Sequence, residues 1–311
     1  MATADQKYAM NRRTKEALEF YLFISPWFVV FMLLGLLPLL YGLYLSFTNF
    51  AGFNMHTVKW VGFENYIKVF TDNDAMYALG RTILITFLIV PSSLVVGLLL
   101  AVLLNRNVKP IGLYRMLFYM PSIVPVVATG TMWRSIFVQD GLANQLLAGV
   151  GMKPIDWLGY DYATFSLFMM LLWGSGGGIL INLAGLKGVP KYLYEAAMID
   201  GASTAQRFMK ITIPLVTPVL FFQLVMHVVL SLQIFIQPIL LAGKSNSLLS
   251  LPIRPNYLFS VHAFQQIFAF NRYGYGLALL WVMFILILLL TTILFTTSKL
   301  WVFYEVEQGG K

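Results

Sequence analysis

The chain has 311 residues and a formal net charge of +8, and 59% of its residues are hydrophobic while only 11% are charged. With a mean hydropathy of +0.76, it has too little polar surface to coat a soluble globule of this length, which places it in a lipid bilayer. The lack of cysteine excludes disulfides and thiolate metal ligands.

Long apolar runs define the predicted membrane spans. A bilayer core about 30 Å thick requires roughly 20 apolar residues per helix. Six runs meet this condition, and they are Phe20 to Thr48, Thr82 to Leu104, Leu113 to Ile136, Thr164 to Leu186, Ile211 to Ala242 and Tyr273 to Ser298. The first has no small-residue cleavage site, so it predicts a retained helix and not a signal peptide. The predicted fold is therefore an all-α integral membrane protein with six transmembrane helices.

The distribution of basic residues predicts the orientation. Lys and Arg cluster before the first span and in the second and fourth connections, whereas the other connections are longer and also contain several Asp. Because basic loops stay in the cytoplasm, both termini are predicted to be cytoplasmic, and the positive charge indicates a membrane rather than a nucleic acid. This divides the chain into a cytoplasmic segment at residues 1–19, a six-helix domain at 20–304 and a cytoplasmic tail at 305–311.

The outer connections contain two predicted features and one exception. Glu64 to Phe70 has apolar residues at helical spacing and predicts a short helix, and the Gly- and Asp-rich segment from Gln139 to Tyr162 predicts an outer surface loop. The exception is the loop before the last span, where Lys244, Arg254 and Arg272 have no acidic partner nearby in the sequence. Either that loop contacts an acidic partner or ligand, or the charge bias is irregular there.

Proline and glycine within the spans indicate a cavity. Five prolines remove backbone hydrogen bonds and predict kinked helices that can line a path, namely Pro121, Pro125, Pro214, Pro218 and Pro238. The glycine-rich run Gly174 to Gly178 lies within an apolar span, so it predicts close helix packing and not a nucleotide site.

Polar residues within the spans are the candidate solute contacts. Gln223, His227 and Ser231 recur every four residues and share one helix face, and Gln233 with Gln237 forms a second stripe. Such groups either face a wet cavity, where they can bind the hydroxyls of a solute, or form hydrogen bonds between helices. Asn182 and Trp173 in the fourth span are further candidates of the same kind.

The sequence lacks the residue patterns of a nucleotide site, a metal site and an ion-coupled carrier. Gly243-Lys244-Ser245 resembles the end of a phosphate-binding loop, but Pro238 replaces the required upstream glycine. His56, His227 and His262 have no metal-ligand spacing, so no metal site is predicted. The middle of each span has no Asp or Glu to bind protons or sodium, so the energy for transport must enter elsewhere.

The most informative segment is a polar island from Lys187 to Lys210 between the fourth and fifth spans. Pro190 suits the first turn of a helix, Gly201 suits a left-handed cap, and Ser203 with Gln206 has capping-box spacing for a second helix. Two short capped helices predict a rigid docking surface. An amphipathic interfacial helix is the alternative, but its apolar face would be larger and its acidic residues fewer.

The island resembles the EAA loop of ATP-binding-cassette (ABC) importer permeases. The matching residues are Glu195-Ala196-Ala197, Asp200-Gly201-Ala202, Phe208, Ile211-Thr212 and Pro214. Further segments, including Pro121 to Pro125, Ala184 to Leu186 and Trp301 to Glu305, are similar to the sugar-type permeases related to the maltose and glycerol-phosphate importers. The stretch from Leu241 to Pro255 departs from that family, where a Gly-Gly-Pro segment is common, and this raises the possibility of an unusual, acidic substrate.

The resemblance implies a role and a set of partners. Five residues would dock in a cytoplasmic ATPase as a coupling helix, namely Glu195, Ala196, Ala197, Asp200 and Gly201. The chain would be a non-enzymatic permease subunit for a carbohydrate in the bacterial cytoplasmic (inner) membrane, without a cofactor of its own. ATP and Mg would be bound by two partner ATPases, a second and different permease would complete a heterodimer, and an extracytoplasmic solute-binding protein would deliver the sugar. An ion-coupled secondary sugar carrier is the alternative.

Overall fold

The computed structural model describes residues 12–53, 56, 58–105, 109–242 and 251–303. Within these residues the regular structure is helical, apart from one isolated antiparallel β-bridge between Thr48 and Trp60. Five helices are long and apolar enough to cross a membrane, and a bent pair of helices brings the number to six when the pair is counted as one broken span. The predicted all-α membrane fold is therefore confirmed. Residues 1–11 and 304–311 and the Gly243-Lys244-Ser245 segment lie outside the described residues.

The first span contains a π-helical segment near its middle. Helix α1 (Arg12–Val30) continues through a π-helical segment (Phe31–Leu36) into α2 (Leu37–Ser46). Pro38 in the first turn of α2 has no N–H and crowds the carbonyl of Leu34, which lies in the π-helical segment. Helix α2 packs against the last span, whereas nearly all of α1 is exposed.

The second span is the centre of the bundle. Short helix α3 (Glu64–Thr71), which agrees with the predicted one, leads into α4 (Asn73–Leu104). The side chain of Asp72 caps α4 by accepting hydrogen bonds from the backbone N–H groups of Asp74 and Ala75. Helix α4 packs against the fourth and fifth spans along a face that includes the small residues Gly97 and Ala101.

The third crossing is broken and not merely kinked, which corrects the prediction of a continuous span from Leu113 to Ile136. Helix α5 (Ile111–Tyr119) ends in a 3-10 turn (Met120–Ser122) and is followed by α6 (Val126–Phe137). The segment Val126–Gly149, which begins with α6, lies at 96° to Ile111–Ser122. Pro125, with extended backbone at ψ 138°, is the N-cap of α6, and its missing N–H removes the bond that would have reached Pro121. Helix α7 (Leu142–Gly149) follows within the predicted outer loop.

The fourth span is interrupted at the glycine-rich run. Helix α8 (Ala163–Trp173) passes through a 3-10 turn (Gly174–Gly176) into α9 (Gly177–Gly188). The backbone of Gly176 lies against the carbonyl of Phe118, so that a β-carbon at this position would clash. The predicted close packing at this run is confirmed.

The fifth span starts earlier and ends earlier than the predicted Ile211 to Ala242. After α10 (Lys191–Ile199), the chain forms α11 (Thr204–Arg207), a π-helical segment (Phe208–Thr212) and α12 (Ile213–Leu232), which run as one continuous 29-residue helix. The chain then breaks and restarts as α13 (Ile236–Ala242). In an unbroken helix Pro238 would crowd the carbonyl of Ile234, whereas in the first turn of α13 its missing N–H leaves no hydrogen bond unmade.

The loop before the last span contains a buried helix that the sequence analysis did not predict. Helix α14 (Phe259–Phe268) packs against α4 and α15 (Tyr273–Ser298), and Phe259, Val261 and Ala263 are fully buried. Helix α15 coincides with the predicted sixth span. One hydrophobic core surrounds α14, and a second joins α4, α9 and α12 near α10.

Candidate functional site: a capped surface helix and a polar cavity

Helix α10 ends in a Schellman motif. Gly201 adopts φ +77°, the left-handed conformation that a helix-ending glycine favours. The backbone N–H of Ala202 donates to the carbonyl of Ala197 at 2.9 Å, and that of Gly201 donates to Met198 at 3.1 Å. These bonds satisfy carbonyls at the end of α10 and turn the chain sharply into the next helix.

The following helix begins with the predicted capping box. The backbone N–H of Ser203 donates to Oε1 of Gln206 at 2.8 Å, and the backbone N–H of Gln206 donates to Oγ of Ser203 at 3.3 Å. The hydroxyls of Tyr194 and Thr212 are hydrogen-bonded at 2.8 Å and tie α10 to the base of the fifth span. The segment from Lys191 to Arg207 is therefore held as a compact unit, which we term the coupling knob.

The surface of the coupling knob is open. Glu195, Ala196, Asp200 and Gly201 are exposed and Ala197 is half-buried. Within the described residues, neither Glu195 nor Asp200 forms an ion pair. Apolar side chains lie beside these carboxylates, and the most exposed is Ile199 at 88%, with Tyr192 and Met198 also exposed. An exposed apolar surface with free carboxylates suits a protein partner.

Three chain breaks meet at a cavity of about 510 Å³. They are the break between α5 and α6, the 3-10 turn between α8 and α9, and the break between α12 and α13, each of which contributes to the wall. The polar lining consists of uncharged groups, namely Ser93, Ser122, Thr129, Ser175, His227, Ser231, Gln233 and Gln237. Irregular backbone within a membrane is tolerated where it lines a cavity, so the breaks and the polar wall have a common explanation.

The predicted stripe on α12 divides between two roles. His227 and Ser231 line the cavity, as do Gln233 and Gln237 beyond the end of α12. Gln223 does not line it, because it is buried between helices and donates from Nε2 to Oδ1 of Asn182 at 2.6 Å. Four of the predicted candidates therefore line the cavity. Gln223 and Asn182 instead form a hydrogen bond between helices.

Trp173 lies at a second, adjoining cavity of about 400 Å³. Its ring meets that of Trp133 edge-to-face, with 6.1 Å between centroids. The two cavities share Pro121 and Ser175 in their walls. Trp173 is thus close to the polar cavity without belonging to its lining.

A buried polar cluster at the opposite end of the bundle from α10 was missed by the sequence analysis. The hydroxyl of Tyr275 donates to Oδ2 of Asp72 at 2.9 Å, and the Tyr257 hydroxyl lies 2.8 Å from Nδ1 of His262. Burial alone would raise the pKa of Asp72, but the bond from Tyr275 and two backbone N–H groups hold it below its ordinary value. Burial lowers the pKa of His262 and raises that of Tyr257 to about 12.

Arg254, which the sequence analysis took to lack an acidic partner, has one in space. Its guanidinium Nη2 lies 2.7 Å from Oδ1 of Asp74, at the start of α4, and the same group lies over the ring of Tyr77 at 4.2 Å. Lys244 lies outside the described residues, and the guanidinium of Arg272 lies 3.5 Å from Oε1 of Gln266. Arg254 therefore has an acidic partner within the chain.

Sequence comparison places the chain among transport proteins. Residues 93–301 match the family described as "Binding-protein-dependent transport system inner membrane component". The chain is 37% identical over 299 residues to the probable ABC transporter permease protein YesP of Bacillus subtilis (strain 168), with 94% of each chain covered. It is 30% identical over 292 residues to the trehalose/maltose transport system permease protein MalF of Thermococcus litoralis, covering 93% of this chain and 96% of that one.

Two further comparisons agree. The chain is 32% identical over 281 residues to the arabinooligosaccharides transport system permease protein AraP of Bacillus subtilis (strain 168), covering 88% and 86% of the two chains. A chain in the crystal structure of a bacterial ABC transporter involved in the import of the acidic polysaccharide alginate superposes with a TM-score of 0.79. That match covers 92% of this chain and 96% of the other at 19% identity, and it shows a common fold.

Proposed function

The chain belongs to the family of binding-protein-dependent transport system inner membrane components, and from that premise we propose how it serves carbohydrate import. It is the permease subunit of an ABC importer for a carbohydrate, a multi-pass membrane component and not an enzyme. The proposal concerns where the driving force enters, how it reaches the solute path and which side chains face the solute.

The observation that carries the proposal is the continuous helix from the coupling knob to the cavity. Residues Thr204 to Leu232 form one helix of 29 residues, which at 1.5 Å per residue is roughly 43 Å long. One end begins at the capping box of the knob, and the other bears His227 and Ser231 in the cavity wall. A displacement of the knob is transmitted along this helix to the solute path.

Force enters through the coupling knob when it docks on a cytoplasmic ATPase subunit. Glu195 and Asp200 offer charge to a Lys or Arg of the partner, Ala196 and Ala197 allow close approach, and Gly201 holds the turn. Two such ATPases bind ATP and Mg, and their closure moves two permease subunits between inward-facing and outward-facing states. This assignment places the knob and both termini in the cytoplasm.

The solute path is the polar cavity. Its polar lining consists of hydroxyl and amide side chains and the imidazole of His227. Among the described residues the lining has no Lys, Arg, Asp or Glu, which suits the many hydroxyls of an uncharged sugar. The names of relatives that transport trehalose, maltose and arabinooligosaccharides support an oligosaccharide. His227, Ser231, Gln233 and Gln237 are the proposed contacts, whereas Gln223 and Asn182 hold α12 against α9.

Two further partners complete the importer. A second, different permease subunit supplies the other half of the path, as a heterodimer. A solute-binding protein on the outer side delivers the sugar, which the binding-protein dependence in the family description supports. An ion-coupled carrier is not favoured, because the relatives are named as ABC or transport-system permeases and the spans have no central carboxylate.

Charge reversal at the coupling knob tests the proposal. Glu195→Lys should abolish uptake of maltose, trehalose or arabinooligosaccharides in cells that depend on this importer, with normal amounts of permease in the membrane. Glu64→Lys is the matched control, because Glu64 is also an exposed glutamate in a short helix but lies at the other end of the bundle. Normal uptake by Glu195→Lys, or equal loss in both variants, would refute docking at the knob.

A further inference from the structure

Helix α3 has three distinct faces, two of which are exposed. Phe63, at its N-cap, with Ile67 and Phe70 is apolar yet 68%, 63% and 60% exposed. At 3.6 residues per turn these three side chains occupy one arc of about 60°. The exposed polar residues Glu64, Lys68 and Thr71 occupy a separate arc. A helix in bulk water gains nothing from an exposed apolar face next to a polar one.

The third face of α3 fixes it to the end of the first span. Nδ2 of Asn65 donates to the backbone carbonyls of Ser46 and Thr48, each at 2.8 Å. The hydroxyl of Tyr66 lies 2.6 Å from Oγ of Ser46, and Val69 is fully buried. The depth of α3 along the bundle axis is therefore set by the residue at which the first span ends.

The exposed apolar face of α3 continues the exposed surface of the first span. Trp60, 62% exposed, stacks on Phe47 with 5.2 Å between ring centroids, and its ring lies 5.8 Å from that of Tyr44. Tyr44 and Tyr41 are exposed on the last turns of α2. Aromatic side chains of this kind concentrate at the headgroup level of a bilayer.

This end of the bundle is remote from the coupling knob. Helix α4 begins directly after α3 and ends at Leu104, in the hydrophobic cluster that includes Tyr194 of α10. The two ends of α4 therefore mark the two membrane surfaces, with α3 at one and the knob at the other.

We propose that α3 and Trp60 form an interfacial anchor in the phospholipid headgroup layer of the leaflet opposite the coupling knob. Phe63, Ile67 and Phe70 contact acyl chains, while Glu64 and Thr71 face water and the ammonium of Lys68 lies over the ring of Tyr275 at 4.6 Å. Phospholipid is the occupant because the apolar face of α3 adjoins the exposed apolar surface of α2, part of a helix long and apolar enough to cross a membrane, and lies between a polar face and a protein-facing one. The anchor holds the end of the first span and the Asp72 cap of α4 at a fixed depth.

Spin labelling tests this anchor directly, because the chain has no cysteine of its own and can be labelled at one introduced position before it is assembled with its partner subunits. Ile67→Cys and Phe70→Cys would be compared with Glu64→Cys and Thr71→Cys on the same helix, in the assembled transporter in phosphatidylethanolamine and phosphatidylglycerol vesicles. The ratio of nitroxide collision with oxygen to collision with a water-soluble nickel chelate should be several-fold higher at Ile67 and Phe70. Each of the four side chains is exposed, so the labels should leave the fold intact.

Two results of the spin-label experiment would overturn the anchor. High collision with nickel at all four positions would place the apolar face in water, open to a soluble protein. Low collision with both reagents at Ile67 and Phe70 would show that another protein chain covers the face. An independent readout is quenching by phospholipids brominated near the headgroup, where the Trp60→Phe variant should lose part of the quenchable tryptophan fluorescence. An unchanged quenchable fraction would also contradict lipid contact.

Discussion

The substitution Gly201→Ala tests how much the left-handed cap contributes to force transmission from the coupling knob to the cavity. Gly201 has φ +77°, and a β-carbon there would have nothing within 4 Å, so that the cost of Gly201→Ala comes from the backbone conformation alone. That cost is about 1–2 kcal/mol for an L-residue in the left-handed region. It shifts the equilibrium between the capped knob and unwound states by roughly 5-fold to 30-fold. Asn tolerates this conformation better, so Gly201→Asn should retain more function than Gly201→Ala, and Gly201→Val should retain least.

The assay is the initial rate of sugar uptake, normalised to the amount of permease in the membrane, with co-purification of the ATPase as a second readout. Gly188→Ala is the matched control, because Gly188 also has open space at its β-carbon but does not have the left-handed φ. Uptake should fall in the order wild type, Asn, Ala, Val at position 201 and stay unchanged in Gly188→Ala. Full activity of Gly201→Ala, or an equal loss in Gly188→Ala, would refute the role of the cap.

Two further predictions concern buried polar groups. Gln223→Leu leaves Asn182 without its hydrogen-bond partner and should lower the free energy of unfolding by about 1–3 kcal/mol. The double variant Gln223→Leu with Asn182→Leu should recover part of that loss. A double variant less stable than Gln223→Leu alone in thermal unfolding would contradict this pairing. Because burial holds the pKa of His262 below 6.5, the unfolded chain takes up a proton that the folded chain does not, and stability falls as the pH drops below about 6.5. His262→Gln should make the melting temperature less dependent on pH between about pH 7 and pH 5. An unchanged dependence on pH would contradict the assignment of this effect to His262.

Local signals predicted the parts of the structure that depend on neighbouring residues. Helix α15 agrees with the predicted span because the apolar run is bounded by Arg272 and Lys299. The turn at Gly201 and the capping box at Ser203 were likewise predictable, since each depends on residues within one helical turn. The coupling knob could therefore be derived almost completely from the sequence.

The breaks around the cavity could not be derived in the same way. A proline shows which hydrogen bond is lost, but it does not predict the 96° angle between Ile111–Ser122 and Val126–Gly149, nor that the distant Gly176 packs against the carbonyl of Phe118 beside the bend. The end of the fifth span at Leu232 was missed because the apolar pattern continues through Pro238. The predicted polar stripe was correct in periodicity, yet only the packing of α9 shows that Gln223 faces Asn182 and not the cavity.

Contacts between distant parts of the chain account for the remaining misses. Asp74 and Arg254 are far apart in sequence, and no local pattern connects them. Helix α14 lies in the segment that the sequence analysis treated as the loop before the last span, and three of its polar side chains, His262, Gln265 and Gln266, are buried. The burial of such polar residues can be recognised only from a structure that shows their hydrogen-bond partners, such as Tyr257 for His262.

The most direct measurement is the accessibility of a cysteine in the cavity wall during the ATP cycle. His227→Cys in this cysteine-free chain can be labelled with a membrane-impermeant maleimide added from either side of the membrane. In the assembled importer, labelling should switch from the cytoplasmic side without ATP to the outer side in the ATP-bound state, and Glu195→Lys should abolish the switch. Labelling that is the same with and without ATP, or a switch that survives Glu195→Lys, would contradict force transmission from the coupling knob to the cavity.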